Sequence, residues 1–170
     1  MSTVSQLIVM RHAKTEPFHA DDRSRRLTDR GESDARAAGV WLTSQALVPD
    51  LVLVSPATRA RQTVEQVAAG ADEEPEVLVV DDLYGADVDD VLDILRDLRD
   101  APDRLMVVGH NPTMAYLAQL LDDGTGDEES GREMATGFPT GALASFEVSC
   151  PWVELDLASA RLVAFHVGRA

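Results

Sequence analysis

Leu7-Ile8-Val9-Met10-Arg11-His12 is the stretch from which the chain can be read. Four apolar residues run without a polar break into an arginine and a histidine. An unbroken apolar run of strand length is the pattern of a strand buried on both faces, as in parallel sheets covered by helices. Residues just past the carboxyl end of such a strand stand in the crevice where open α/β sheets bind ligands. The run therefore delivers Arg11 and His12 to a candidate site. Two later stretches repeat the construction: Leu51-Val52-Leu53-Val54 enters Ser55-Pro56-Ala57-Thr58-Arg59, and Leu105-Met106-Val107-Val108 enters Gly109-His110-Asn111-Pro112. If the three strands lie parallel in one sheet, His12, Arg59 and His110 meet at one edge of it.

Between these strands the chain reads as alternating helices and loops. Residues 13–27 are polar without a period, hence a loop. It carries Lys14, Arg23, Arg25 and Arg26, which read as solvated charge, with contact to a phosphorylated partner as the alternative. His19 reads as an exposed loop histidine. Asp29-Arg30-Gly31-Glu32 has capping-box form and opens a helix to about Ala46, with Ala35, Ala38, Gly39, Leu42 and Ala46 as its inward stripe and Trp41 covering an edge. Ser55 as N-cap and Pro56 as first residue open a second helix to about Gly70, with Val64, Val67 and Ala68 inward. The acidic link 71–76 leads to a short strand, 77–80, ending at Asp81-Asp82. Val88, Val91, Leu92, Leu95 and Leu98 give the cleanest helical period in the chain. Asn111 and Pro112 open a further helix, with Met114, Leu117, Leu120 and Leu121 inward. Residues 122–133 read as an acidic, glycine-rich surface excursion of the composition found in disordered segments. Residues 142–148 and 162–167 read as strands, antiparallel to each other.

A length of 170 residues, 45% apolar and 26% charged, suits one globular domain over 1–170 with a proper core. No apolar run approaches the roughly 20 residues needed to span a bilayer, and no signal peptide is visible, so the expected compartment is the cytoplasm. One cysteine, Cys150, excludes an internal disulfide and reads as a small, partly buried residue. A net charge of −15 argues against nucleic acid and anionic membrane as partners. The charge is segregated: residues 1–61 hold nine Lys/Arg and seven Asp/Glu, whereas residues 62–170 hold six and 23. Positive charge is thus kept in the third that contains Arg11 and Arg59, as a local anion site inside a negative envelope requires.

The strand-end residues specify a chemistry. A phosphoryl dianion is best held by arginine, which offers a bidentate fork and never loses its charge. Arg59 also falls near a helix N-terminus, which favours anions, and the Asn111-Pro112 helix start offers a second such pole. A neutral imidazole can attack phosphorus, and a charged one can neutralise transition-state oxygens. Beside Arg11 and Arg59, like-charge repulsion keeps an imidazole neutral, as a nucleophile requires. Thr15 and Asn111 are the further candidate substrate contacts. A metal site built from His12, His110 and Asp81 or Asp82 is the competing arrangement, disfavoured because two arginines repel a cation. No Walker loop, Rossmann glycine fingerprint or Gly-x-Ser-x-Gly elbow is present.

At these residues the chain resembles the histidine phosphatase superfamily, also known as phosphoglycerate mutase-like. The resemblance is carried by Arg11-His12-Ala13, by Ser55-Pro56-Ala57-Thr58-Arg59-Ala60-Arg61-Gln62-Thr63 and by Gly109-His110-Asn111-Pro112. Leu27-Thr28-Asp29-Arg30-Gly31 and Pro139-Thr140-Gly141-Ala142 also match. The short length and Leu83-Tyr84-Gly85-Ala86 make it similar to the SixA-type branch, which dephosphorylates phosphohistidine. The resemblance implies a three-layer α/β/α sandwich with a mostly parallel central sheet. It implies His12 as nucleophile, with a phosphohistidine intermediate, and Arg11, Arg59 and His110 as phosphoryl ligands, with neither metal nor cofactor. Ala13 stands where the family has Gly. The general acid is less defined; Asp82 is favoured over Asp81 from its place after the fourth apolar run. An acid is dispensable for phosphohistidine, whose imidazole is protonated before the P–N bond breaks. The leading expectation is a monomeric phosphatase acting on a phosphorylated protein, such as a histidine phosphotransfer domain. The alternatives are a broad-specificity phosphatase of small phosphorylated metabolites and a non-catalytic phosphate-binding module. A phosphoglycerate mutase would need insertions for which the chain is too short.

Overall fold

The computed structural model describes residues 3–18, 20–100 and 102–170. His19 lies outside the described residues. The three apolar runs are strands β1 (Ser5–Arg11), β2 (Leu51–Val54) and β4 (Arg104–Gly109), and β3 (Glu76–Val79) joins them. These four are mutually parallel, and β5 (Ala142–Val148) and β6 (Ala160–Val167) add antiparallel at the far side of β1. The sheet order is β3-β2-β4-β1-β5-β6.

The middle of each central strand is apolar because each of its faces meets helices. Ile8, Met10, Val52, Val54, Met106 and Val108 point to one face, where α1 (Asp29–Ser44) and α2 (Thr58–Ala71) bury Ala35, Leu42, Val64 and Val67. Leu7, Val9, Leu51, Leu53, Leu105 and Val107 point to the other, where α3 (Val88–Arg96) and α4 (Thr113–Leu121) bury Val91, Leu92, Leu95, Leu117 and Leu121. The result is a three-layer α/β/α sandwich. Small residues on α1 serve a second purpose besides approach to the sheet. A Cβ at Gly39 would overlap the Val67 carbonyl oxygen, and one at Gly70 would overlap that of Arg36, so α1 and α2 touch backbone to backbone.

Several boundaries differ from the sequence expectations. Thr28, not Asp29, caps α1, its side chain accepting from Gly31 N–H. The helix ends at Ser44; Ala46 is exposed in the left-handed region at φ 56°, and Leu47 turns inward in its place. The helices begin at Thr58 and Thr113 with Ala57 and Pro112 as N-caps, so Ser55-Pro56 and Asn111 lie just ahead of them and Pro112 is a cap rather than a first helical residue. Leu120 is exposed on α4, while Met114, Leu117 and Leu121 are buried. The acidic excursion 122–133 is ordered: Asp127 caps a helix, α5 (Glu128–Thr136), by accepting from Ser130 N–H. Met134 ties α5 to the core, and it is the only buried residue on a surface otherwise polar, which is why no apolar period announced it.

Candidate active site

Sheet order brings the site together. β4 lies between β1 and β2, with Arg11 opposite Gly109 and Val54 opposite Val108, so all three strands end level. The ladder runs one step further, with His12 N–H donating to Gly109 O at 3.1 Å and Ser55 N–H to Val108 O at 3.1 Å. Arg11, His12, Ser55 and His110 are therefore set on adjacent strand ends, and α2 carries Arg59 in its first turn. The loop after β1 is pinned to α2: Ala13 N–H donates to Thr63 Oγ1 at 3.0 Å, and that hydroxyl donates to Arg59 O at 2.7 Å. Ala13 and Thr63 are both fully buried, so position 13 suits a small side chain.

His12 is 6% exposed, and its Nδ1 sits 2.8 Å from the Ala13 carbonyl oxygen. A carbonyl only accepts, so Nδ1 carries the ring proton and Nε2 keeps its lone pair. The His12 and His110 rings are 5.4 Å apart, tilted by 56°. Burial is the main reason the His12 imidazole is held down at about 3, with His110, Arg59 and Arg11 pushing the same way. The arginines thus contribute to its neutrality but are not its chief cause, as the sequence had suggested. His110 is likewise held at about 4, first by burial and then by Arg59. It too is neutral, whereas the sequence reading allowed one of the two imidazoles to be charged. Its Nε2 is 2.7 Å from Ser55 Oγ.

Three polar atoms here are buried without a hydrogen-bond partner: Arg11 Nε, Arg59 Nε and His110 Nδ1. Orphaned buried donors are costly, at roughly 1–3 kcal/mol each, and a cluster of them on cationic or cation-capable groups is what an anion would satisfy. Arg11 is braced by donating from NH1 to Phe138 O at 3.2 Å. A cavity of about 440 Å³ opens beside Arg59 and His110, lined also by Leu83, Tyr84, Ala86 and Met114.

Other sequence candidates fall elsewhere. Asn111 lines this cavity, but its side chain is committed to the backbone, donating to Phe138 O at 2.8 Å and accepting from Ala115 N–H at 3.3 Å. Thr15 pairs across the loop with Leu27, and its hydroxyl accepts from Arg25 at 3.4 Å. Asp82 is exposed in a short 3-10 turn and does not line the cavity. The carboxylate that does line it is Asp22, which sequence reasoning missed. It sits in a one-turn 3-10 helix (Asp22–Ser24) within the 13–27 loop and bonds Arg59 and Tyr84. No local pattern marks it, because its partners lie 37 and 62 residues away. Among the described residues no cluster of three or more His, Cys, Asp or Glu forms a metal-binding group. No helix among them is long and apolar enough to cross a membrane.

Comparison with known proteins agrees with this geometry. The model of the histidine phosphatase superfamily (branch 1) matches residues 7–91. Phosphohistidine phosphatase SixA of Escherichia coli (strain K12) is 32% identical over 142 residues, spanning 82% of this chain and 83% of its own. A Nakamurella multipartitia structure provisionally assigned as phosphohistidine phosphatase SixA superposes with a TM-score of 0.85 at 29% identity over 98% of both chains. A structure of the protein histidine phosphatase SixA in complex with tungstate gives 0.76 at 26% identity, over 96% of this chain and 97% of that one. The chain belongs to the histidine phosphatase superfamily, in its SixA-type branch.

Proposed function

We propose that the protein hydrolyses phosphohistidine on a protein through a covalent intermediate on His12. The observation that carries this reading is the state of His12: buried, neutral, with Nδ1 tied to the Ala13 carbonyl and Nε2 left as a lone pair, in a site where Arg11 Nε, Arg59 Nε and His110 Nδ1 are buried and unpartnered. In the first step Nε2 of His12 bonds to phosphorus, and the P–N bond of the substrate breaks. The substrate imidazole, already protonated on its other nitrogen, leaves neutral with the electron pair of that bond. The guanidinium forks of Arg11 and Arg59 hold the equatorial oxygens, and a proton gained by His110 adds positive charge as the dianion approaches. In the second step water attacks phosphorus, the bond to His12 breaks, phosphate leaves and the imidazole is restored. No side-chain acid is needed for this leaving group, which fits the exposed position of Asp82 outside the cavity. The similarity to proteins named as phosphohistidine phosphatases supports the same substrate class.

A second reading, phosphatase action on small phosphate esters, is favoured by the partly apolar 440 Å³ cavity beside His110. An alkoxide leaves poorly without a proton, so the two readings separate on leaving group. The test compares kcat/KM for a phosphohistidine-bearing phosphotransfer protein with that for alkyl and aryl phosphates. A preference of at least about a hundredfold for the phosphoprotein is expected, given typical general-acid contributions of 10²–10⁴. Equal or greater activity on alkyl phosphates would overturn the phosphohistidine reading.

A further inference from the structure

Among the described residues the Arg59 guanidinium is held by Asp22. Its NH1 donates to the Asp22 carbonyl oxygen at 2.7 Å and its NH2 to Asp22 Oδ2 at 3.1 Å. Both bonds leave the terminal nitrogens; Nε, on the other side of the fork, is buried and unpartnered. Asp22 is anchored in turn. Tyr84 OH donates to Oδ2 at 2.6 Å and Arg25 Nε to Oδ1 at 3.1 Å. The Tyr84 ring stands edge-on to His110 at 5.7 Å, and the Arg23 guanidinium lies 4.6 Å over its centroid. Asp22 is thus the joint between the 13–27 loop, Arg59 and, by way of Tyr84, His110.

We propose that Asp22 is a positioning residue: it grips the outer edge of Arg59 so that the Nε side faces the phosphoryl group, and it fixes Tyr84 against His110. The proposal rests on the phosphoryl site described above. A different arrangement has the same contacts, in which the Asp22 carboxylate stands in for the phosphoryl group and must leave before substrate binds. Two features favour positioning. The main-chain carbonyl of Asp22 shares the grip, so releasing Arg59 requires the whole loop to move. The Nε donor remains unused while Asp22 is in place, so the anion need not compete for it. Arg23 and Arg25 offset the negative charge that Asp22 leaves near a bound dianion. Arginine orientation matters because a displacement of about 1 Å in a phosphoryl ligand can cost about a hundredfold in rate.

The two arrangements differ in sign. Calorimetric titration with tungstate, alongside kcat/KM on the phosphohistidine protein, is run on wild type, Asp22→Asn, Asp22→Glu and Tyr84→Phe. Positioning predicts that Asp22→Asn binds tungstate about tenfold more weakly, loses about 10–100-fold in kcat/KM and is partly rescued by glutamate. Tyr84→Phe shows a smaller loss in the same direction. The His110 imidazole, read by NMR titration, moves to lower pKa in Asp22→Asn, because that carboxylate favours its protonated form. Tighter tungstate binding by Asp22→Asn would overturn positioning in favour of a competing carboxylate. Unchanged binding and rate would reduce Asp22 to a solvated charge. Should wild type itself fail to bind tungstate, the anion site falls first and the role of Asp22 with it.

Discussion

Residues 13–27 and 122–133 are both polar, aperiodic stretches, and the molecule uses them in opposite ways. The first leaves the carboxyl end of β1, where the candidate site lies, and its Asp22 bonds Arg59 and Tyr84. The second leaves the end of α4, which has carried the chain back to the opposite end of the sheet; Asp122 pairs there with Ala160 at the start of β6. Its first polar residues serve local structure: Asp123 accepts from Thr125, and Asp127 caps α5, whose far end alone returns toward Arg11. Gly126 lies so close to the Leu162 backbone that a Cβ would overlap its carbonyl oxygen. Polar composition reports that a stretch is solvated. Which end of the sheet the preceding element leaves it at decides whether it takes part in chemistry.

Substitutions should therefore separate the two ends. Arg59→Ala has the largest expected effect: a loss of about 10²–10³ in kcat, with tungstate binding abolished and the thermal midpoint nearly unchanged. A full loss of folding instead would mean that the site end also carries stability. At the other end, Gly126→Ala should destabilise by about 1–3 kcal/mol in urea unfolding while leaving kcat/KM as it was. A comparable loss of activity per folded molecule would erase the contrast.

Acid should weaken the site end selectively. His12 and His110 are neutral in the fold, at about 3 and 4, so as pH falls below about 6.5 the unfolded chain takes up protons that the folded chain does not. Stability is fully present well above pH 6.5 and drains away down to about pH 4 for His110 and about pH 3 for His12, by about 2 kcal/mol for each histidine at pH 5. His12→Asn should recover about 2 kcal/mol relative to wild type between pH 8 and pH 5, read from urea midpoints. A constant difference across that range would show that His12 takes a proton as readily in the fold as out of it. The smallest effect is expected for Asp127→Ala, a slight lowering of the urea midpoint from the lost α5 cap, with no change in turnover.

The part of this design that was legible in the sequence is the part written as contiguous residues. Three all-apolar runs declared buried parallel strands, and the Arg, His and helix-opening residues after them named one sheet edge. The order β2-β4-β1, with the three strands in register at their ends, makes that edge a single site. What stayed hidden depends on distance in the chain. Asp22 meets Arg59 and Tyr84 only through the fold, and its neighbours read as ordinary surface charge. Asp82 looked better placed because it follows a strand, but β3 is an edge strand with all four residues exposed, and its end opens to solvent. Helix α5 escaped notice because one buried methionine sets no period. The two cap assignments slipped by a residue or two: the caps are Ala57 and Pro112, while Ser55 and Asn111 divide their bonding between the helix start, accepting from Ala57 and Ala115 N–H, and the site, Ser55 against His110 and Asn111 against Phe138.

The central claim is that His12 becomes phosphorylated. It is tested most directly by rapid-quench labelling with a phosphorus-32 phosphohistidine protein, with His12→Ala run in parallel and chelator present throughout. The account predicts an acid-labile, alkali-stable label on the wild type that rises and decays within turnover and is absent from the variant. Phosphate release by wild type with no label at any time, or turnover abolished by the chelator, would contradict it.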